Sequence, residues 1–132
     1  MIKILLLSLL LAGCSFTTTL PEQTTPDIIR VERTFPSETI VVINEKRRVD
    51  NIISFINSKL GGWDVPIIGP PVGQVYLNLY KDNKIIGNFY VGPMFFGRDN
   101  GNFWSQPADK VDIDELGNLI DVDLMSIINE RS

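Results

Sequence analysis

The chain of 132 residues contains no histidine and only one cysteine, Cys14. Without histidine it lacks the most frequent general base near neutral pH, the usual partner of a serine or cysteine nucleophile, and the commonest zinc ligand. A single cysteine also excludes an internal disulfide. We therefore expect a protein that is not an enzyme and that holds no cofactor.

Basic residues are also scarce. Lysine and arginine number 12 against 16 aspartate and glutamate residues, which gives a net charge of −4. Binding to nucleic acid requires a basic surface, so we expect no nucleic-acid partner. The acidic residues between Asp109 and Asp123 lack the alternating ligands and central glycine of an EF-hand loop, and we expect an acidic helix start there and no metal.

The chain has no apolar run long enough to span a membrane, which takes about 20 residues. The first apolar run, Ile4 to Ala12, is nine residues long and follows Lys3. A positive start and a short apolar core are typical of a signal peptide, and the small residues Ala12 and Gly13 then precede Cys14.

The four residues Leu11-Ala12-Gly13-Cys14 resemble the lipobox of bacterial lipoproteins. The resemblance covers only the start of the chain. It implies a type II signal peptide at residues 1–13, its removal, and acylation of Cys14, so that acyl chains such as palmitate anchor the protein in the membrane of the cell envelope. Ser15, where an aspartate would favour the inner membrane, implies an outer-membrane protein facing the periplasm if the host has two membranes.

Residues 14–27 are rich in threonine and proline and have few apolar side chains to bury. This composition predicts an acylated cysteine followed by a flexible tether. A single folded domain is then expected from Ile28 to Ser132.

The folded part alternates between two periodicities. Period-two or β-branched runs predict strands at 28–35, 39–43 (buried on both faces), 75–80, 84–92 and in two short segments after Pro93. Helical spacing predicts a helix at about 45–60, ended by Gly61 and Gly62, and a second helix from Asp112 to the end of the chain, although residues 117–124 also fit a hairpin. The fold class expected is α+β: an antiparallel sheet of five or six strands with two helices packed on one face.

One segment is longer than the fold requires. Gly61 to Gly73 spans thirteen residues with three prolines and four glycines, and loops of this length are often functional. Two interpretations remain open: a partner-binding loop, or a rigid crossover that plugs the core. Trp63, Asp64, Ile67 and Ile68, with Trp104 nearby in the sheet, are the candidate partner-binding residues.

Two classes of function fit these patterns. The favoured hypothesis is a membrane-anchored protein-interaction module with a protein partner in the envelope, of the inhibitor, immunity or envelope-assembly type. The alternative is a lipoprotein that binds glycan or peptidoglycan through exposed aromatic side chains such as Trp63 and Trp104.

Overall fold

A computed structural model describes residues 17–34, 36–65 and 73–130. One antiparallel sheet of six strands runs through the domain, in the spatial order β2-β1-β3-β4-β5-β6. The strands are β1 (Ile28–Thr34), β2 (Ser37–Ile43), β3 (Val75–Lys81), β4 (Lys84–Gly92), β5 (Phe95–Asp99) and β6 (Phe103–Pro107), and the described helices are α1 (Lys46–Asn57), α2 (Lys110–Ile120) and α3 (Leu124–Asn129). The α+β class and the antiparallel sheet of five or six strands predicted from the sequence are confirmed.

The strand register explains the core. Residues directly opposite one another share a face of the sheet, so Val31, Leu77 and Phe89 form one inward-facing row. All three are fully buried in a single apolar cluster that also contains residues of all three helices. The helices therefore pack on one face of the sheet, which we call the inner face.

The two strands predicted at 75–80 and 84–92 form as β3 and β4 and pair as a hairpin. Its two-residue turn, Asp82 and Asn83, has positive φ at both positions (51° and 64°), which is the conformation that matches the twist of a hairpin. Helix α1 also forms as predicted and buries Val49, Ile52 and Ile56. It ends at Asn57, one turn before the two glycines.

The C-terminal segment contains two helices where one was expected. Helix α2 begins at a reciprocal capping box between Asp109 and Asp112, so its first residue, Lys110, precedes the predicted start at Asp112 by two residues. It ends at Ile120, and the following residue, Asp121, adopts a left-handed conformation with φ of 59°. A Cβ atom on Gly117 would lie 2.7 Å from the carbonyl oxygen of Val122, so the missing side chain lets the chain fold back there.

The expectation that the second strand is buried on both faces is wrong. Among the described residues, strand β2 pairs only with β1 and forms an edge of the sheet. Only Ile43 is fully buried, and Val42 is 47% exposed. A continuous β-branched run fits an edge strand as well as a central one, because strand propensity does not specify neighbours.

The prediction of a flexible tether is also wrong for residues 17–27, which lie against the domain. Leu20 is 4% exposed and belongs to the core cluster. The Leu20 amide donates to the carbonyl of Leu60, and Thr18 exchanges two backbone hydrogen bonds with Trp63 (2.7 and 3.1 Å). The folded domain therefore begins at Thr17 or earlier. We call residues 17–27 the N-terminal strap.

Candidate functional site

The face of the sheet opposite the helices carries a group of aromatic and polar side chains. No helix among the described residues packs on this outer face. Its members alternate in sequence with the inward-facing residues: Arg30, Glu32, Tyr76, Asn78, Tyr80, Asn88, Tyr90 and Phe95. We call this set the tyrosine face.

Three of its aromatic rings form a continuous row. The rings of Tyr76 and Tyr90 are stacked with centroids 4.9 Å apart, and Phe95 meets Tyr90 edge to face at 6.4 Å. Two glycines make the row possible, since a Cβ atom would lie 1.9 Å from the Tyr90 ring at Gly97 and 2.2 Å from the Phe95 ring at Gly92. The Tyr90 ring therefore lies directly over the backbone at Gly97, and the Phe95 ring lies over the backbone at Gly92.

The polar members of the face contact the row and one another. The guanidinium of Arg30 lies 5.9 Å from the centroid of the Tyr80 ring, within cation–π range. The side-chain amide of Asn78 donates to Glu32 Oε1 at 3.3 Å. The half-buried Tyr76, Asn78 and Tyr80 leave part of this arrangement accessible.

Two buried polar atoms on this face have no hydrogen-bond partner among the described residues: the Tyr90 hydroxyl and the Asn88 side-chain carbonyl oxygen. An unpaired buried polar group costs about 1–3 kcal/mol. Burial, followed by the charges of Tyr76 and Asp99, raises the pKa of Tyr90 to about 12, so its hydroxyl stays protonated and remains a hydrogen-bond donor. A ligand that pairs these atoms would recover part of that cost.

The expectation that Trp63 is an exposed partner-binding residue is wrong. Its side chain is fully buried, its indole Nε1 donates to the Lys59 carbonyl at 2.6 Å, and its ring meets Phe89 edge to face. The tryptophan follows the two glycines after α1, and its pairing with Thr18 directs it into the core. The sequence did not predict this burial, because the strap that covers Trp63 is distant from it in the chain.

Asp64 and Trp104 come together at the β6 edge. Asp64 exchanges two backbone hydrogen bonds with Ser105 (2.8 and 2.9 Å), and its side chain is exposed. Trp104 is half-buried, with its indole Nε1 donating to Asn100 Oδ1 at 3.1 Å. Ile67, Ile68 and Cys14, the other candidate residues, lie outside the described residues.

Sequence reasoning missed Arg98. It is 3% exposed on the inner face, and burial lowers its pKa. Its Nη2 donates to the Pro21 carbonyl of the N-terminal strap at 2.7 Å, whereas Nε and Nη1 have no partner in the described part of the chain. Because the Pro21 carbonyl accepts a hydrogen bond from this buried arginine, the strap is part of the folded structure.

The described residues contain no group of three or more histidine, cysteine or acidic side chains placed to hold a metal ion. Within the same ranges, no helix is both long and apolar enough to cross a membrane. No family model, no curated protein and no solved structure matches the chain.

Proposed function

We propose that this protein is a lipid-anchored protein of the bacterial cell envelope that binds a protein partner through the tyrosine face. Anchoring rests on the lipobox at Leu11 to Cys14, and binding rests on the aromatic and polar row of the outer face. The protein would act as an inhibitor, an immunity factor or an assembly factor, without catalysis.

The observation that carries the binding proposal is the composition of the tyrosine face. Tyrosine and arginine dominate the energetics of protein interfaces, because each offers a large apolar surface together with a hydrogen-bonding tip. The face places Arg30, Tyr76 and Tyr80 on paired strands, so the backbone needs no further ordering when a partner binds.

A glycan-binding function is the second candidate, and the structure weakens its basis. Sugar rings stack on an exposed aromatic face. Trp63 is fully buried, and Trp104 is half-buried with its indole nitrogen already paired. The Tyr76 and Tyr90 rings stack on each other, so one face of each is already covered.

Acylation is tested by replacing Cys14 with serine. The wild-type mature chain should begin at an acylated Cys14, detected by mass spectrometry of the N-terminal peptide, and the Cys14→Ser variant should accumulate as a full-length precursor without lipid. Ser15→Ala is the matched control and should be acylated normally. An unlipidated wild-type protein would contradict the anchoring proposal.

Partner binding is tested by photo-crosslinking in intact cells, with a benzophenone amino acid at position 80. We expect one discrete protein adduct, weakened by roughly tenfold or more when Arg30 is changed to glutamate, since an interface arginine can contribute more than 1.4 kcal/mol. The same probe at Val111, which is 73% exposed on α2, is the control. Equal adducts at both positions would exclude the tyrosine face as the partner-binding surface. Sedimentation of the protein with purified cell wall would instead favour the glycan alternative.

The loop at Gly61–Gly73 remains a second predicted contact. Its last residue, Gly73, lies against Tyr90 and Tyr76, so the loop returns to the sheet at the tyrosine face. Changing Ile67 and Ile68 to alanine should weaken the adduct and leave the unfolding midpoint nearly unchanged if the loop binds the partner. A loss of about 2–5 kcal/mol per isoleucine would instead indicate a core plug.

A further inference from the structure

The chain leaves the described domain at a defined place and in a defined direction. Thr18 pairs with Trp63 and Asp64 pairs with Ser105, both antiparallel. Thr17 therefore lies beside Asp64, and from Thr18 to Thr17 the backbone points towards the end of the sheet that holds the β5–β6 turn. This end also contains the β3–β4 turn, and we call it the turn end.

The connection from this point to Cys14 is short. Only Ser15 and Phe16 lie between Cys14 and Thr17, so the two Cα atoms are at most about 11 Å apart at 3.8 Å per residue. A lipid anchor on Cys14 would hold the β6 side of the domain at the bilayer surface. Because the strap is docked, the domain could not swing away as it would on a flexible tether.

Exposed apolar side chains stand at this same place. Val65, which follows the Asp64–Ser105 pair, is 60% exposed, and Phe103, at the start of β6, is 46% exposed. Ile85, beside the β3–β4 turn, is 55% exposed. The half-buried Trp104 lies between Phe103 and Ser105, and tryptophan is enriched at membrane interfaces.

Charge gives no reason to place the turn end at a membrane surface. Lys81 and Lys84 border the β3–β4 turn, but Asp27 and Asp82 lie beside them. The position of the anchor and the exposed apolar side chains are the features that favour it.

We infer that the turn end of the sheet, with Val65 and Phe103 at its β6 side, rests on the phospholipid surface in which Cys14 is anchored. This inference depends on the acylation set out under Proposed function. In this orientation the strands run at a steep angle to the membrane plane, and Met94 and the start of α2 point away from the membrane. The tyrosine face stays accessible to a partner protein beside the domain.

The inference is tested on the lipidated full chain in phospholipid vesicles. Because acylated Cys14 has no free thiol, single cysteines can be introduced and labelled with an environment-sensitive fluorophore. The test positions are Val65→Cys and Phe103→Cys. The controls are Met94→Cys and Val111→Cys, which are 63% and 73% exposed at the far end of the sheet and on α2.

Nitroxide-labelled lipids should quench the labels at positions 65 and 103 roughly threefold or more strongly than those at 94 and 111, because only side chains at the lipid interface meet the quencher. Inserting about 15 glycine and serine residues before Thr17, with a root-mean-square span of about 20 Å, should reduce this difference. Equal quenching at all four positions, stronger quenching at 94, or no effect of the insertion would overturn the inference.

Mass measurement of each variant separates this inference from the proposed function. If Cys14 is acylated and quenching does not favour positions 65 and 103, the orientation is wrong and the anchoring proposal stands. If Cys14 carries no lipid, both are wrong.

Discussion

Removing the N-terminal strap should strongly destabilise the domain. A chain that begins at Pro26 lacks Leu20, which is 4% exposed in the core, and lacks the Pro21 carbonyl that accepts from buried Arg98. It also loses the backbone pairing between Thr18 and Trp63. The comparison is a chain that begins at Thr17 and contains the complete described strap.

The expected effect is large on the scale of protein stability. Removing a buried leucine side chain costs about 2–5 kcal/mol, and leaving a buried charged group without its acceptor costs about 1–3 kcal/mol or more. Domains of this size are stable by only about 5–15 kcal/mol. The chain from Pro26 should therefore be close to unfolded or prone to aggregate at room temperature.

A single substitution gives the more quantitative measurement. Leu20→Ala should lower the free energy of unfolding by about 2–5 kcal/mol and move the urea midpoint down by roughly 1–3 M, given a typical urea dependence of about 1–3 kcal/mol/M. The fluorescence of fully buried Trp63 reports the transition. Thr24→Ala, at an exposed position of the same strap, should change stability by less than about 0.5 kcal/mol.

The docked strap would be refuted by two results. One is a chain from Pro26 that unfolds within about 0.5 kcal/mol of the chain from Thr17. The other is a Leu20→Ala variant as stable as the Thr24→Ala control. Either would mean that residues 17–25 form the flexible tether predicted from composition.

Three further variants test local features. Gly97→Ala should destabilise the domain by about 1–3 kcal/mol in urea unfolding, because the added methyl group meets the Tyr90 ring; an unchanged midpoint would contradict the ring position. Asp121→Gly should raise stability by about 0.5–1 kcal/mol, because glycine adopts the left-handed conformation freely, and a lower melting temperature would disprove this. Asp112→Asn should lower the melting temperature at pH 7. The Lys59 hydrogen bond holds the pKa of Asp112 below its ordinary value, so this stabilisation is present above about pH 4 and is lost as pH falls below it. A difference from wild type that stays constant down to pH 2 would exclude the ion pair as its cause.

Local features were readable from the sequence because their causes are local. The alternation of Val75, Leu77 and Leu79 with polar residues indicates a strand with one buried face, and Asp82-Asn83 favours a tight turn. The spacing of the isoleucines in α1 indicates a helix with one buried side. These periodicities follow from backbone geometry, so they led to the correct fold class.

The candidate site was only partly predictable. Sequence reasoning selected Trp63 because it follows the end of a helix and begins a segment longer than the fold requires, but its burial depends on the strap and on Phe89. It did not select Tyr76 or Tyr90. Their stacking arises from strand register, which places residues 14 positions apart directly opposite each other.

The amino-acid sequence by itself determined the lipobox resemblance, the periods of the strands and helices, and the absence of histidine. Only the tertiary structure decided that β2 is an edge strand, that the N-terminal strap closes the core through Leu20, and that buried Arg98 is held by the Pro21 carbonyl. The physical reason is that periodicity shows which side of an element is apolar, whereas the partner that covers that side is chosen by contacts between residues far apart in the chain. Arg98 and Pro21 are 77 residues apart, and no local pattern relates them.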